Sequence, residues 1–403
     1  MLMVFALPSI AAEITFTWCC GQPDRLAYFE SVAAQYEALN PGVKVVALNA
    51  SGETLRTLIA GGQTPDIMWQ GFGWTALVGL YEPVDWYLDR EPGFREDLDP
   101  NMLREVQADG STWGLPLGAA TNVMGYNEDL LAQGGVAPPE PDWTWDELLA
   151  TARRLTRDTN GDGVNDVWGL ALYWWPWNLL AYGGDGYNDD GTATDLNNEV
   201  ALEAWRIHYE TWSGRNGLQP QWDGIVHRDE FASGNLVFYN IGIFDVPYLR
   251  DNMTASWNVQ TYPWLEVGGE RHRATWATGE AFMVHKDSPV KEQALDFLRF
   301  MLSPEQIVAG VQGIGIVPAS RTLQSSDLFL QPDKTPANMK AFVDSLAFGK
   351  GPFQGHMAHP EVWAAANPIL SASNSGELPI ERYHEQLIEA VNRALAEWNA
   401  RNR

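Results

Sequence analysis

Tryptophan carries the clearest chemical signal in this sequence. The chain holds 19 tryptophans in 403 residues, and three of them fall within four positions: Trp174, Trp175 and Trp177, split by Pro176 and followed by Asn178. That run is too interrupted for a plain core strand, and three indoles so close together are hard to bury completely. It reads as a platform of stiff apolar planes. Trp18 ends the first predicted strand, and Trp69, Gln70 and Trp74 follow another. Sugar rings suit such planes, because their apolar faces lie flat on indole while their hydroxyls take polar partners. Gln70, Thr121, Asn122, Asn178, Asp185, Asn240 and Glu280 stand near predicted strand ends or loop tips and supply such partners. Gly183-Gly184 would let backbone come close to a ligand.

The two cysteines, Cys19 and Cys20, are neighbours. Consecutive Cα atoms lie ~3.8 Å apart, shorter than the ~4.4–6.8 Å of most disulfides. A bond between them is strained, yet paired thiols in an oxidising compartment tend to oxidise. Two readings stand: a vicinal disulfide forming a rigid apolar ledge for a ligand, or two reduced, buried thiols. No Cys-x-x-Cys is present to suggest a redox enzyme. A second cluster, Asp158-Thr159-Asn160-Gly161-Asp162-Gly163-Val164-Asn165-Asp166, has the oxygen spacing of a calcium loop. Asp158, Asn160, Asp162 and Asp166 would contribute side chains and Val164 its carbonyl, with Gly163 at the turn. Gly169 stands where the bidentate Glu of a full EF-hand belongs, so the expected Ca²⁺ is structural and its shell needs another oxygen. The competing reading is an Asp/Asn/Gly turn held by its own side chains.

Other chemistries find no motif. The seven histidines lack zinc spacing. There is no Gly-x-Ser-x-Gly elbow, no Walker loop and no dinucleotide glycine pattern. A pair of carboxylates across a groove, as in a glycosidase, cannot be read from counting acids.

The elements that would position these residues alternate. Ile14 to Trp18 reads as a strand, and Leu26, Phe29, Ala33, Tyr36 and Leu39 line one helix face. Asn40-Pro41-Gly42 stops that helix, and Val43 to Leu48 is the next strand. This is a βαβ unit with parallel pairing. A helix over 55–60 and a strand over 65–69 follow. Strands are predicted over 106–117 and 122–126 around a Gly-Leu-Pro turn, over 236–244 and over 281–285. Helices are predicted over 146–155 and 196–212, and after Ser288-Pro289. Another starts at Ser303 with a Ser-x-x-Gln capping box, and Leu387, Val391, Leu395 and Trp398 mark the last. No internal repeat is visible.

With 45% hydrophobic residues the chain can bury a large core. Its 26 basic and 52 acidic residues give a net charge of −26, which argues against nucleic-acid partners. Leu2 to Leu7 followed by Pro8, Ser9, Ile10, Ala11 and Ala12 reads as the end of a secretory signal over residues 1–12. No later apolar run approaches a membrane span.

Taken in order, several motifs resemble the extracellular solute-binding proteins of ABC sugar importers, of the maltose-binding-protein-like family 1 type. They are Gly62-Gln63-Thr64-Pro65-Asp66-Ile67, Gly114-Leu115-Pro116 with Tyr126-Asn127 and Asp129-Leu130, and Trp143-Thr144-Trp145-Asp146-Glu147-Leu148. Gly279-Glu280-Ala281-Phe282-Met283-Val284, Ser288-Pro289 through Pro304-Glu305, and Gly315-Ile316-Val317-Pro318 complete the set. The resemblance runs from about residue 13 to the end. It implies an α/β, two-lobed periplasmic-binding-protein-like fold with a ligand cleft between lobes joined by a multi-segment hinge. The lobes would be 13–117 plus 279–316, and 118–278 plus 317–403. By the same analogy Trp276, Gly279 and Phe244 approach the cleft, with Cys19 and Cys20 beside them and Trp363 a further candidate. The implied function is that of an exported, monomeric protein, periplasmic or extracellular. It would capture a sugar or oligosaccharide and deliver it to ABC permease subunits without covalent chemistry. The alternatives are a secreted glycoside-acting enzyme and a binder of a cationic ligand such as a polyamine.

Overall fold

A computed structural model describes residues 12–402, apart from 20–22, 71–73, 174, 221–226, 352, 354–355 and 357. The signal segment through residue 11, Cys20 and Trp174 therefore lie outside the described residues, and Ala12 already begins the first strand. The chain forms two compact units, one running to Ala119 and resuming over Gly279–Leu323, the other over Ala120–Thr278 and from Gln324 onward.

In the first unit, Ala12–Trp18 pairs in parallel with Val43–Asn49 and with Ile67–Gln70. The sheet is closed on one side by residues 281–284 of the Thr275–Val284 strand, antiparallel to Ile67–Gln70. The helix Pro23–Leu39 makes the first crossover. Of its predicted apolar face, Phe29, Ala33 and Tyr36 lie inside together with Val32, while Leu26 is half-buried and Leu39, at the end of the helix, is 69% exposed. Phe16 of the first strand meets Phe29 at 5.5 Å and Phe297 at 5.4 Å between ring centroids, which makes this core aromatic.

The strand predicted over 106–117 is instead a short antiparallel ribbon, Gln107–Ala108 with Ser111–Thr112, preceded by the helix Pro100–Glu105. Asp109 and Gly110 have φ of 52° and 77°, the left-handed pair of a type I′ hairpin. One unbroken strand, Leu115–Asn127, then replaces the predicted pair, with Pro116 tolerated in its first residues. Residues 317–323, expected in the second lobe, belong to the first unit. Val317 and Pro318 pair with Ala119 and Gly118, and Ser320 and Thr322 bond to the Asp97 carboxylate. The Ser303 capping box does not form: Gln306 Nε2 donates instead to Gln35 Oε1 at 2.9 Å, tying two helices together.

In the second unit, residues 122–126 of the long strand pair antiparallel with Leu236–Gly242, which pairs in parallel with Trp168–Ala171. The helix Trp145–Leu155 begins with a capping box, in which the Thr144 side chain accepts from the Glu147 N–H and the Glu147 carboxylate accepts from the Thr144 N–H. The helices Glu199–Trp212, His359–Ser373 and Ile380–Arg401 bury Trp205, Val362, Tyr383, Leu387 and Val391 in one cluster with Trp177.

Candidate functional site

In the first unit, the candidate residues gather where the parallel strands end. Trp18 lies in the core against Phe29, with centroids 6.1 Å apart. Trp74 is also inside, on the short 3-10 segment Trp74–Leu80, and its Nε1 donates to the Glu105 carbonyl at 2.9 Å. The Gly279 N–H donates to Glu105 Oε2 at 2.7 Å. Gln70 and Trp69 are half-buried at the end of their strand. Trp69 Nε1 donates to Glu280 Oε2 at 3.2 Å. Arg25, in the first turn of Pro23–Leu39, donates to the same oxygen through Nη2 and to Cys19 Sγ through Nη1 at 3.2 Å. Arg25 and Glu280 are both largely buried, 9% and 11% exposed at the side chain. Neither Arg25 nor Glu105 has a motif around it, so sequence reading passes over both.

In the second unit, Asn122, Asn178 and Asn240 form a chain of amides. Asn122 Nδ2 donates to Asn178 Oδ1 at 3.0 Å, and Asn178 Nδ2 donates to Asn240 Oδ1 at 2.8 Å. The Tyr173 N–H also donates to Asn240 Oδ1, at 3.2 Å. A backbone N–H needs an acceptor, so this contact fixes which way every amide in the chain points. Tyr173 is held in turn by His208, whose Nε2 meets the Tyr173 carbonyl at 2.8 Å. Burial keeps His208 neutral, pushing its pKa down to about 4.

Beside the amides stand the indoles. Trp177 is buried and stacks on Trp363, with centroids 5.0 Å apart and planes 21° apart; Trp175 meets Trp363 edge-on at 6.0 Å. Trp175, Trp276 and Trp363 are half-buried and pack against the cluster that holds Trp177. The expected platform is thus divided: Trp177 is its buried footing, and Trp363, distant in sequence, is its hub. Phe244 is 38% exposed and sits on the 3-10 segment Ile243–Asp245 rather than on the predicted strand. It meets Tyr173 edge-on at 6.3 Å.

Thr121, by contrast, is fully buried, and its hydroxyl donates to the Phe342 carbonyl at 3.3 Å. Gly184 is pressed by its fold partners rather than left open, since a Cβ there would lie 2.2 Å from Asp195 Oδ2. Asp195 accepts the Asp185 and Gly186 N–H groups at 2.9 and 2.8 Å, while the Asp185 carboxylate is exposed, 4.0 Å from Lys350 Nζ.

The 158–166 loop bonds to itself. Asp158 Oδ1 accepts the Gly161 N–H at 2.7 Å and Oδ2 that of Gly163 at 2.8 Å. Asn160 takes the Asp162 N–H at 2.9 Å, Asp162 that of Val164 at 2.8 Å, and Asp166 that of Thr159 at 3.0 Å. The Gly163 and Gly161 N–H groups hold the Asp158 carboxyl below its usual pKa. Among the described residues, no group of three His, Cys, Asp or Glu converges on a point that could hold a metal.

A family profile described as bacterial extracellular solute-binding protein matches residues 21–308. The maltotriose-binding protein of Pyrococcus abyssi is 26% identical, over 75% of this chain and 65% of its own. The maltodextrin-binding protein of Bacillus subtilis is 21% identical, over 92% and 88%. Among solved structures, an ABC substrate-binding protein from Listeria monocytogenes in complex with cycloalternan superimposes with a TM-score of 0.82, at 23% identity, over 95% of this chain and 99% of that one.

Proposed function

The chain belongs to the bacterial extracellular solute-binding protein family, and from that premise we propose that it captures a neutral sugar or oligosaccharide and delivers it to ABC permease subunits. The observation that carries this reading is the half-buried indole set, Trp175, Trp276 and Trp363, seated on buried Trp177 within the second unit. Indole faces take the apolar faces of sugar rings, and the buried Asn122–Asn178–Asn240 chain stiffens the segment that carries them. Relatives named for maltotriose and maltodextrin point to a glucose-type oligosaccharide. A cationic guest is less suited to the first unit, because the Glu280 carboxylate there already carries Arg25. The protein acts by holding its ligand, without covalent chemistry, after export through a cleaved signal segment.

A thermal-shift panel of maltose, maltotriose, raffinose, trehalose and spermidine tests this. Saturation at 100 times Kd stabilises by about 2.7 kcal/mol, so at least one sugar is expected to raise Tm by several degrees, and spermidine by none. Trp175→Ala is expected to weaken that sugar roughly tenfold to a hundredfold, with little change in the ligand-free Tm. A panel in which only spermidine shifts Tm, or in which nothing does, defeats the proposal.

Two accessory features belong to the same reading. A Cys19–Cys20 disulfide is supported by the lack of any free cysteine among the described residues. Calcium in the 158–166 loop is supported by oxygen spacing alone, and it requires Asp158 to exchange amide partners for the ion. One native mass spectrum reads both: the unreduced chain is expected to be lighter by a pair of hydrogens, and heavier by one calcium after equilibration with the ion. A fully reduced mass rejects the first feature, and an unchanged mass with calcium rejects the second.

A further inference from the structure

The Arg25–Glu280 pair lies where a ligand of the first unit would be met. Trp69 and Gln70 end one parallel strand, Cys19 follows another, and Arg25 opens the helix after it. All stand at or just beyond the carboxyl ends of the strands, the edge at which open α/β sheets bind their ligands. Glu280 comes just before Ala281, which pairs with Gln70.

The two carboxylate oxygens of Glu280 are used unequally. Oε2 accepts from Arg25 and from Trp69 Nε1. Oε1 takes no hydrogen bond from the described residues and is not sealed from solvent. The group is therefore oriented from behind and open in front. Trp69 is oriented by the same bond and remains half-buried. A largely buried ion pair adds little net stability over an apolar pair of the same size, so stability alone is a weak reason for one at this edge.

We infer that Glu280 is a preformed hydroxyl acceptor, with Arg25 as its positioning residue: Oε1 takes an O–H from the bound sugar while Oε2 stays tied to Arg25 and Trp69. This rests on the reading of the chain as a sugar binder. It adds a selectivity. The site requires a donor, so a sugar lacking that hydroxyl, or carrying a phosphate or carboxylate in its place, is rejected. Hydrogen bonds to charged groups set the scale, roughly a ten- to hundredfold loss of affinity.

The test is calorimetric titration with the tightest sugar of the panel above and its monodeoxy analogues, on wild type, Glu280→Gln, Arg25→Met and Arg25→Lys. In wild type, one hydroxyl position is expected to cost about ten- to hundredfold when removed. In Glu280→Gln and Arg25→Met, the same removal should cost less than about threefold, because the contact is already lost. Arg25→Lys, which keeps the charge, should restore part of the penalty. The other positions should keep their wild-type ratios, which a merely weakened fold would not produce. Should Glu280→Gln fail to fold, the double replacement Arg25→Met with Glu280→Met removes both charges and is expected to fold with the same selective loss. A penalty unchanged by these substitutions, or spread evenly over all hydroxyls, overturns the inference and leaves sugar binding standing. A panel without any sugar ligand removes both.

Discussion

Trp177→Ala is expected to destabilise the second unit by about 3–5 kcal/mol, the usual range for truncating a buried aromatic. For a unit of this size that lowers Tm by roughly 6–20 °C. The reason is placement. Trp177 is 3% exposed, stacked on Trp363 and edge-on to Phe353 at 5.1 Å. Its loss opens a cavity beneath the half-buried indoles, and these lose their footing. Sugar affinity should fall as well, but as a consequence of the loosened support. Thermal melts without ligand separate the roles. A variant that keeps its Tm while losing affinity would make Trp177 a contact surface, as the sequence alone suggested.

Asp245→Asn carries the second large effect, and pH reveals it. Asp245 is buried, and burial pushes its pKa up to about 7, against the pull of Arg228 at 3.8 Å and of the Gly242 N–H at 3.1 Å. An unfolded carboxyl titrates near ~3.9. Between these values the folded state holds a proton that the unfolded chain releases. The stability from this group is thus complete below pH ~4 and is lost as pH rises through about 7. Asparagine keeps an acceptor for Gly242 and cannot titrate. Urea unfolding at pH 5 and pH 8 should show wild type losing on the order of 2–4 kcal/mol more than Asp245→Asn across that interval. Equal losses in the two proteins would show that Asp245 does not change its charge there.

The α/β alternation and the first crossover, with Phe29, Ala33 and Tyr36 turned inward, are legible because each is written in local periodicity. What escaped the sequence depends on distant partners. Arg25 and Glu280 are 255 positions apart, and nothing local marks either as half of a pair. Gln306 looked like a capping residue until Gln35, on another helix, claimed its side chain. Trp18, Trp175 and Trp177 looked alike in sequence, yet two are buried and one is not, since burial is decided by which helix packs above them. The three asparagines stand out in the sequence only by their nearness to predicted strand ends. That a single peptide N–H at Tyr173 orients all of them depends on residues far apart in the chain, and no local pattern marks it.

The first unit is discontinuous: its sheet needs residues 281–284 and its edge needs Val317–Pro318. A chain emerging from the ribosome has made its first three parallel strands long before the piece that completes them exists, since that unit ends at Leu323. Pairings so remote in sequence close slowly, because the loop entropy comes due before the contacts reward it. The first unit's sheet is consequently completed only after residues 281–284 and 317–318 have been made.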